Sequence, residues 1–205
     1  MKVMLVNGSP RQKGCTNRAL EEVKAQLLKE GIDAEIFWIG TKVQGCIACR
    51  QCKKTGKCIF DDILTQFVEK AKTSDAFIFG SPVYYGGPAG GIQSFMDRLY
   101  FSSGRYLKDK PTAMVTSCRR GGATETFARL NMYPMMTHSP IVTSQYWNQV
   151  HGSTPEDVEK DLEGLQTMRS LAVNMAWLLK CIEAGKKAGI PMPNREPIIA
   201  TNFIR

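Results

Sequence analysis

A chain of 205 residues is long enough for one generous domain and cramped for two, since domains run typically to about 150 residues. Its 43% hydrophobic and 22% charged residues match ordinary globular composition, which excludes disordered and fibrous architectures, and it contains no apolar run of about 18 residues that would span a bilayer. The net charge of +8 comes from 27 Lys and Arg against 19 Asp and Glu. These cations are scattered in small groups with no nucleic-acid motif around them, so they read as solvated faces.

The first apolar run, Val3 to Val6, gives way at once to Asn7-Gly8-Ser9-Pro10. It is too short for a signal peptide and reads as a strand, which makes the cytoplasm the expected compartment and a soluble protein the expected form. Seven cysteines, an odd number, then argue for reduced thiols or for metal and redox ligands rather than a disulfide framework, and two histidines exclude a His-rich metal site.

Further strands are predicted at Ala34 to Ile39, Ala76 to Gly80, Thr112 to Ser117 and Ile141 to Ser144, with helix-period segments between them. The first helix has Thr16 as a candidate cap, Leu20, Val23 and Leu27 on one face, and Gly31 as its stop. The second begins at Asp61, the third near Pro88 with Ile92, Phe95, Met96 and Leu99 on one face, and the fourth covers Thr124 to Met132. A long helix starts at Ser153-Thr154-Pro155-Glu156 and carries Val158, Leu162, Leu165, Met168, Ala172, Met175, Leu179 and Ile182 at spacings of three and four, leaving Leu171, Trp177 and Leu178 off that stripe. Residues 1–184 thus read as one domain with a cysteine-rich loop at 45–60, and residues 185–205 as a tail. Alternating strands and helices imply a five-stranded parallel sheet, doubly wound, with helices on both faces and ligands beyond the carboxyl ends of the strands.

The segments at those ends hold the unusual residues. After the first strand, Ser9, Arg11, Gly14 and Thr16 combine hydroxyls, a glycine turn and a guanidinium ahead of a helix start, a pattern suited to a phosphate. Neither GxGxxG nor GxxxxGK[ST] is present, so a mononucleotide is favoured over a dinucleotide, with an ordinary polar turn as the bland alternative. After the third strand, Ser81-Pro82-Val83-Tyr84-Tyr85-Gly86-Gly87 pairs flat aromatic surface with glycines and can hold a planar heterocycle, or merely cap the next helix. After the fourth strand, Ser117-Cys118-Arg119-Arg120-Gly121-Gly122 adds cations to the same glycine-rich character. Tyr146 to Gly152 offers aromatic rings for a substrate shelf, although packing is the simpler role for Trp147 and His151.

Cys46, Cys49, Cys52 and Cys58 form a CxxCxxCxxxxxC run. Three thiolates at two-residue gaps plus a more distant fourth can close on an iron-sulfur cube. Four unmetallated thiols remain the alternative, and zinc is disfavoured for want of two separated CxxC pairs. Cys118 and Cys181 read as packing residues.

On Gly8-Ser9-Pro10-Arg11 with Gly14-Cys15-Thr16, and on Ser81 to Gly86, residues 1 to 150 resemble the flavodoxin-like NAD(P)H-dependent FMN reductase family, and the cysteine pattern is similar to that of the iron-sulfur flavoproteins. The resemblance implies a flavodoxin-like fold and FMN, with Ser9, Arg11, the backbone of Cys15, Thr16 and Asn17 around the phosphate. Pro82, Val83, Tyr84, Tyr85 and Gly86, and the loop bearing Ser117, Arg119, Gly121 and Gly122, would surround the isoalloxazine. It further implies a 4Fe-4S cluster on the four cysteines, NAD(P)H or ferredoxin as donor, a small-molecule acceptor such as a quinone, and a homodimer or homotetramer. A cluster-free flavin or quinone reductase and a non-catalytic electron carrier stand as the competing readings.

Overall fold

Hydrophobic periodicity dictates which faces of the strands are covered. A computed structural model describes residues 1–201 and Phe203. The chain runs β1 (Lys2–Asn7), α1 (Cys15–Lys29), β2 (Asp33–Trp38), the single-turn α2 (Gln51–Thr55), α3 (Ile63–Ala71), β3 (Ala76–Tyr84), β4 (Gly87–Pro88), α4 (Gly90–Ser103), β5 (Thr112–Cys118), α5 (Ala123–Met135), β6 (Gln149–His151), α6 (Pro155–Lys160) and α7 (Leu162–Lys187). Five strands are parallel in the order β2-β1-β3-β5-β6, and the two-residue β4 folds back antiparallel on the end of β3. This is the expected doubly wound sheet.

Alternate residues of one strand feed two separate cores. From β1, Val3 and Leu5 join Ile78 and Val115 against Leu20 and Val23 of α1 and Met168, Leu171 and Met175 of α7. Met4 and Val6 join Phe77 and Phe79 on the opposite face against Phe67 of α3, Phe95 and Leu99 of α4 and Leu130 of α5. Each fully buried side chain of this kind contributes about 1.5–3 kcal/mol. Among the described residues no helix is long and apolar enough to cross a membrane.

Three expectations are corrected. The last strand is Gln149–His151, not Ile141 to Ser144: Ile141 makes one isolated bridge to Thr112, and the chain then turns away where Ser144 Oγ accepts from the Tyr146 amide and donates to its carbonyl at 2.6 Å. The long helix is two helices. The first starts where expected, capped by Thr154, but Asp161 leaves helical geometry at ψ 75° and accepts the Gly164 amide at 2.9 Å and the His151 amide at 2.6 Å, starting α7 afresh. Leu162 is consequently exposed, while Leu171 is buried. Finally, Gly14 rather than Thr16 caps α1, and Thr16 is buried in its first turn.

Helices α1 and α7 are also joined by Glu22, which accepts from both Arg18 and Arg169. Burial opposes ionisation of Glu22, yet these two guanidiniums outweigh it and hold the carboxyl below its usual range. A lowered folded-state value gives stability that is fully present above the unfolded value of about 4.3 and is lost as pH falls through the folded one. Glu22→Gln is therefore expected to cost about 1 kcal/mol at pH 7, and progressively less as the pH falls below about 4.3. Urea denaturation midpoints of both proteins across that range check it, and a gap that widens in acid would contradict the sign.

Candidate functional site

At the carboxyl ends of β1, β3 and β5 the chain leaves the sheet in three loops, and these enclose one cleft of about 240 Å³. The first loop is fixed by its own polar groups. Asn7, wholly buried, accepts the Ser9 amide on Oδ1 at 3.0 Å and donates from Nδ2 to the Gln12 carbonyl at 2.9 Å. Ser9 Oγ accepts the Arg11 amide at 3.1 Å, and the Trp38 indole donates to the Ser9 carbonyl at 2.8 Å. Gly8 lies so close to β3 that a Cβ there would meet the Gly80 carbonyl at 2.7 Å and Ile92 at 2.6 Å, so no larger residue fits.

The cradle ends at α1. Gly14 caps that helix with no side-chain bond, and the first turn holds no acid. The amides of Cys15, Thr16 and Asn17 have no earlier helical carbonyl to reach, and they carry the positive end of the helix dipole. Ser9 and Thr16 face the cleft beside them with Arg11 at its rim. This is the chemistry an anion needs.

Thr16 Oγ1 lies 2.8 Å from Ser117 Oγ, both buried, which ties the first loop to the third. The third loop meets the second through Gly122, at φ +89°, where a Cβ would stand 2.7 Å from Val83 and 2.8 Å from Gly86. Pro82, Val83 and Tyr84 line the cleft from one side and Ser117, Cys118 and Arg119 from the other. Cys15 lines it too, its thiol donating to the Gly152 carbonyl at 3.5 Å, and burial pushes that thiol above the ordinary cysteine range. Cys118, likewise pushed up by burial, stands 3.4 Å from His151 Nδ1, a pairing invisible in the sequence.

Some predicted residues lie elsewhere. Asn17 turns its amide to Asn7 at 3.3 Å and to Glu21 at 2.7 Å, bracing the loop instead of lining the cleft. Tyr85 is fully exposed, and Gly86, Gly121 and Gly122 shape the loops without lining the cavity. Sequence reasoning missed Asn7 and Trp38, whose roles depend on contacts across the sheet.

The cysteine segment forms a second site. Cys46, Cys49, Cys52 and Cys58 line one shallow recess together with Ile47, Ile59, Phe60 and Phe101. Left-handed backbone at Ala48 (φ 53°), Arg50 (φ 57°) and Gly56 (φ 71°) coils the chain so that residues three apart reach the same hollow. All four are free thiols, Cys46 and Cys49 exposed, Cys52 and Cys58 half-buried. Among the described residues no three His, Cys, Asp or Glu side chains are grouped to hold a single metal ion. Arg98 of α4 donates from Nε to Cys58 Sγ at 3.3 Å and grips Asp62 through two bonds of 2.8 and 2.9 Å. Burial resists ionisation of Asp62, but Arg98 and the Leu64 amide hold its carboxyl below the usual range.

A 2-1-3-5-6 parallel sheet with an open cleft beyond its carboxyl edge defines a flavodoxin-like α/β protein. The chain belongs to the NADPH-dependent FMN reductase family, whose model matches residues 1–153. FMN-dependent oxidoreduction is accordingly its class of chemistry. It is 33% identical over 193 residues to an iron-sulfur flavoprotein of Methanocaldococcus jannaschii, covering 89% of this chain and 100% of the relative. Its fold is similar to that of RosB bound to 8-demethyl-8-formylriboflavin-5′-phosphate, with TM-score 0.71 and 13% identity over 100% of this chain and 92% of that one. A WrbA-like flavodoxin of Agrobacterium tumefaciens gives TM-score 0.61 and 18% identity over 88% of this chain and 96% of its own.

Proposed function

We propose that the three-loop cleft holds FMN, that the four cysteines hold a 4Fe-4S cluster, and that the protein moves electrons from NAD(P)H or a reduced carrier such as ferredoxin to a small acceptor. The observation carrying this reading is the start of α1, free of any side-chain cap and of acid, opening into a cleft that all three glycine-rich loops share. The phosphate is assigned to the amides of Cys15, Thr16 and Asn17, the hydroxyls of Ser9 and Thr16, and Arg11. Pro82 to Gly86 and the Ser117 to Gly122 loop are assigned to the ring system, with Tyr84 as a flat neighbour. When bound, FMN supplies both hydride acceptance and single-electron release, which is why no protein acid or base need be assigned to the electron chemistry. The chain's own residues orient that ring, shield one side and leave room for a nicotinamide or acceptor.

The cysteine recess fits a cube better than a single ion, because a cube gives each thiolate its own iron and the four sulfurs need not crowd one centre. Lys53, Lys54 and Lys57 offset its negative charge, and the cytoplasm keeps such thiols reduced. Assembly into a homodimer or homotetramer belongs to the same reading, supported by the exposed Trp177 and Met136. The exposure of Cys46 and Cys49 favours the second reading, a cluster-free NAD(P)H:quinone or flavin reductase.

The test is an absorbance spectrum of anaerobically purified protein with flavin, iron and sulfide quantified, followed by anaerobic NADPH or NADH. Flavin with iron and sulfide, bleached by the nucleotide, is the expected result. Flavin without iron selects the second reading; bleaching through ferredoxin alone selects the carrier-fed version. A protein that neither contains nor takes up FMN overturns all of them.

A further inference from the structure

Arg98 is the one charged side chain among the buried residues described, with 1% of its surface exposed. A dry guanidinium is tolerated only where its donors are satisfied, and Arg98 uses all five. Nη1 donates to the Gln44 carbonyl at 3.1 Å and to Asp62 Oδ2 at 2.8 Å; Nη2 donates to Asp62 Oδ1 at 2.9 Å and to the Phe60 carbonyl at 3.5 Å; Nε donates to Cys58 Sγ at 3.3 Å. The Phe60 ring lies 5.1 Å from the guanidinium carbon. One side chain of α4 thus fastens both ends of the cysteine segment, ahead of Cys46 and around Cys58. Four of the five bonds account for anchoring and charge balance. The fifth, to a sulfur, is the one anchoring does not require.

We propose that Arg98 is a positioning residue of the cysteine centre that also sets its reduction potential, raising it through the charged N–H bond to Cys58, with the Asp62 carboxylate moderating that effect. The inference rests on the cluster reading above. On accepting one electron from a one-electron donor, a four-thiolate cluster becomes one charge more negative, with no bond made or broken. A cation bonded to one of its sulfurs favours that state. Lys53, Lys54, Lys57 and Arg50 are exposed, so water and salt screen them, whereas Arg98 acts from a dry position in direct contact. The Asp62 side chain is 29% exposed and faces the guanidinium's far side, so it cancels only part of that field.

Wild-type protein, Arg98→Gln, Arg98→Lys and Asp62→Asn are purified anaerobically, quantified for iron and sulfide, and titrated with dithionite under electron paramagnetic resonance. Asn keeps the acceptor that the Leu64 amide uses, so α3 retains its cap. The midpoint is expected to fall in Arg98→Gln, to rise in Asp62→Asn and to fall less in Arg98→Lys. Those opposite signs cannot come from a loosened loop, which would move both variants alike. Shifts of the same sign, or none, overturn the proposal, and Asp62→Asn with Arg98→Lys decide it where Arg98→Gln fails to fold. Wild-type protein that holds no iron after reconstitution with iron and sulfide shows the cluster reading to be wrong, and the potential-setting role falls with it. The anchoring role is then judged by hydrogen exchange on the metal-free chain: faster exchange over residues 44–62 in Arg98→Lys with an unchanged sheet supports it, and unchanged exchange overturns it.

Discussion

Gly14→Asp is expected to leave the fold standing and to weaken FMN binding roughly ten-thousandfold. Gly14 has φ −92° and ψ −169°, extended backbone open to any residue, and a Cβ there meets the Arg11 Cβ at 3.2 Å, the Arg11 carbonyl at 3.4 Å and Ser9 Oγ at 3.8 Å. The new carboxylate stands where caps stand, accepts the first-turn amides and faces the positive end of α1. In the flavin-free protein those effects stabilise by a few tenths to about 1 kcal/mol. In the FMN complex the same amides are withdrawn from the phosphate, each charged hydrogen bond being worth about 1.5–3 kcal/mol, and two anions about 4 Å apart add repulsion of about 4 kcal/mol at intermediate dielectric. The sign of the mutation therefore reverses between the two states. Gly14→Asn takes the amides without the repulsion and should weaken FMN only about tenfold. Thermal melts of flavin-free protein together with fluorescence titration of FMN measure both halves. An affinity for Gly14→Asp within about threefold of wild type would place the phosphate elsewhere.

The parts of this architecture written in local pattern are legible in the sequence itself. Unbroken apolar runs at Val3 to Val6 and Ala76 to Gly80 mark strands covered on both faces, because successive side chains point to opposite sides and each side has its own core, and the three loops at the strand ends do meet in one cleft. What stays hidden depends on contacts between distant segments. Ile141 to Ser144 has the composition of a strand, but the turn braced by Ser144 removes it from the sheet after one bridge, and the edge is taken by Gln149–His151. The stripe from Val158 to Ile182 runs through Asp161 without a break in period, so the interruption follows from a carboxylate that prefers two backbone amides to a helical position. Arg98 leaves a trace that can be read. It lies three residues after Phe95 and one before Leu99, on the buried side of α4, where a cation without a partner would be too costly to keep. Its partners, scattered from Gln44 to Asp62, cannot be named from spacing.

On the 4Fe-4S reading proposed above, replacing any one of Cys46, Cys49, Cys52 or Cys58 with serine is expected to bring iron and sulfide from about four per chain to near background while leaving flavin stoichiometry unchanged. A serine hydroxyl is a harder and far weaker donor to iron than a thiolate, so three cysteines are left to hold a cube with one corner open. The flavin should survive because the two sites share no lining residue. Their link is α4, which begins beside the β3 loop and carries Arg98 about 12 Å further along its axis. Cys118→Ser and Cys181→Ser serve as controls that retain iron, since neither residue lines the recess. Stability should separate the four variants even without metal. Cys46 and Cys49 are exposed, so their replacement is near neutral, whereas Cys58→Ser leaves the Nε donor of a buried guanidinium short of its acceptor at a cost of about 1–3 kcal/mol. Iron analysis and urea denaturation of the metal-free series therefore rank the cysteines in two independent ways, equal for iron and unequal for stability. Loss of flavin together with iron would mean that the recess and the cleft hold their shape only together, through α4.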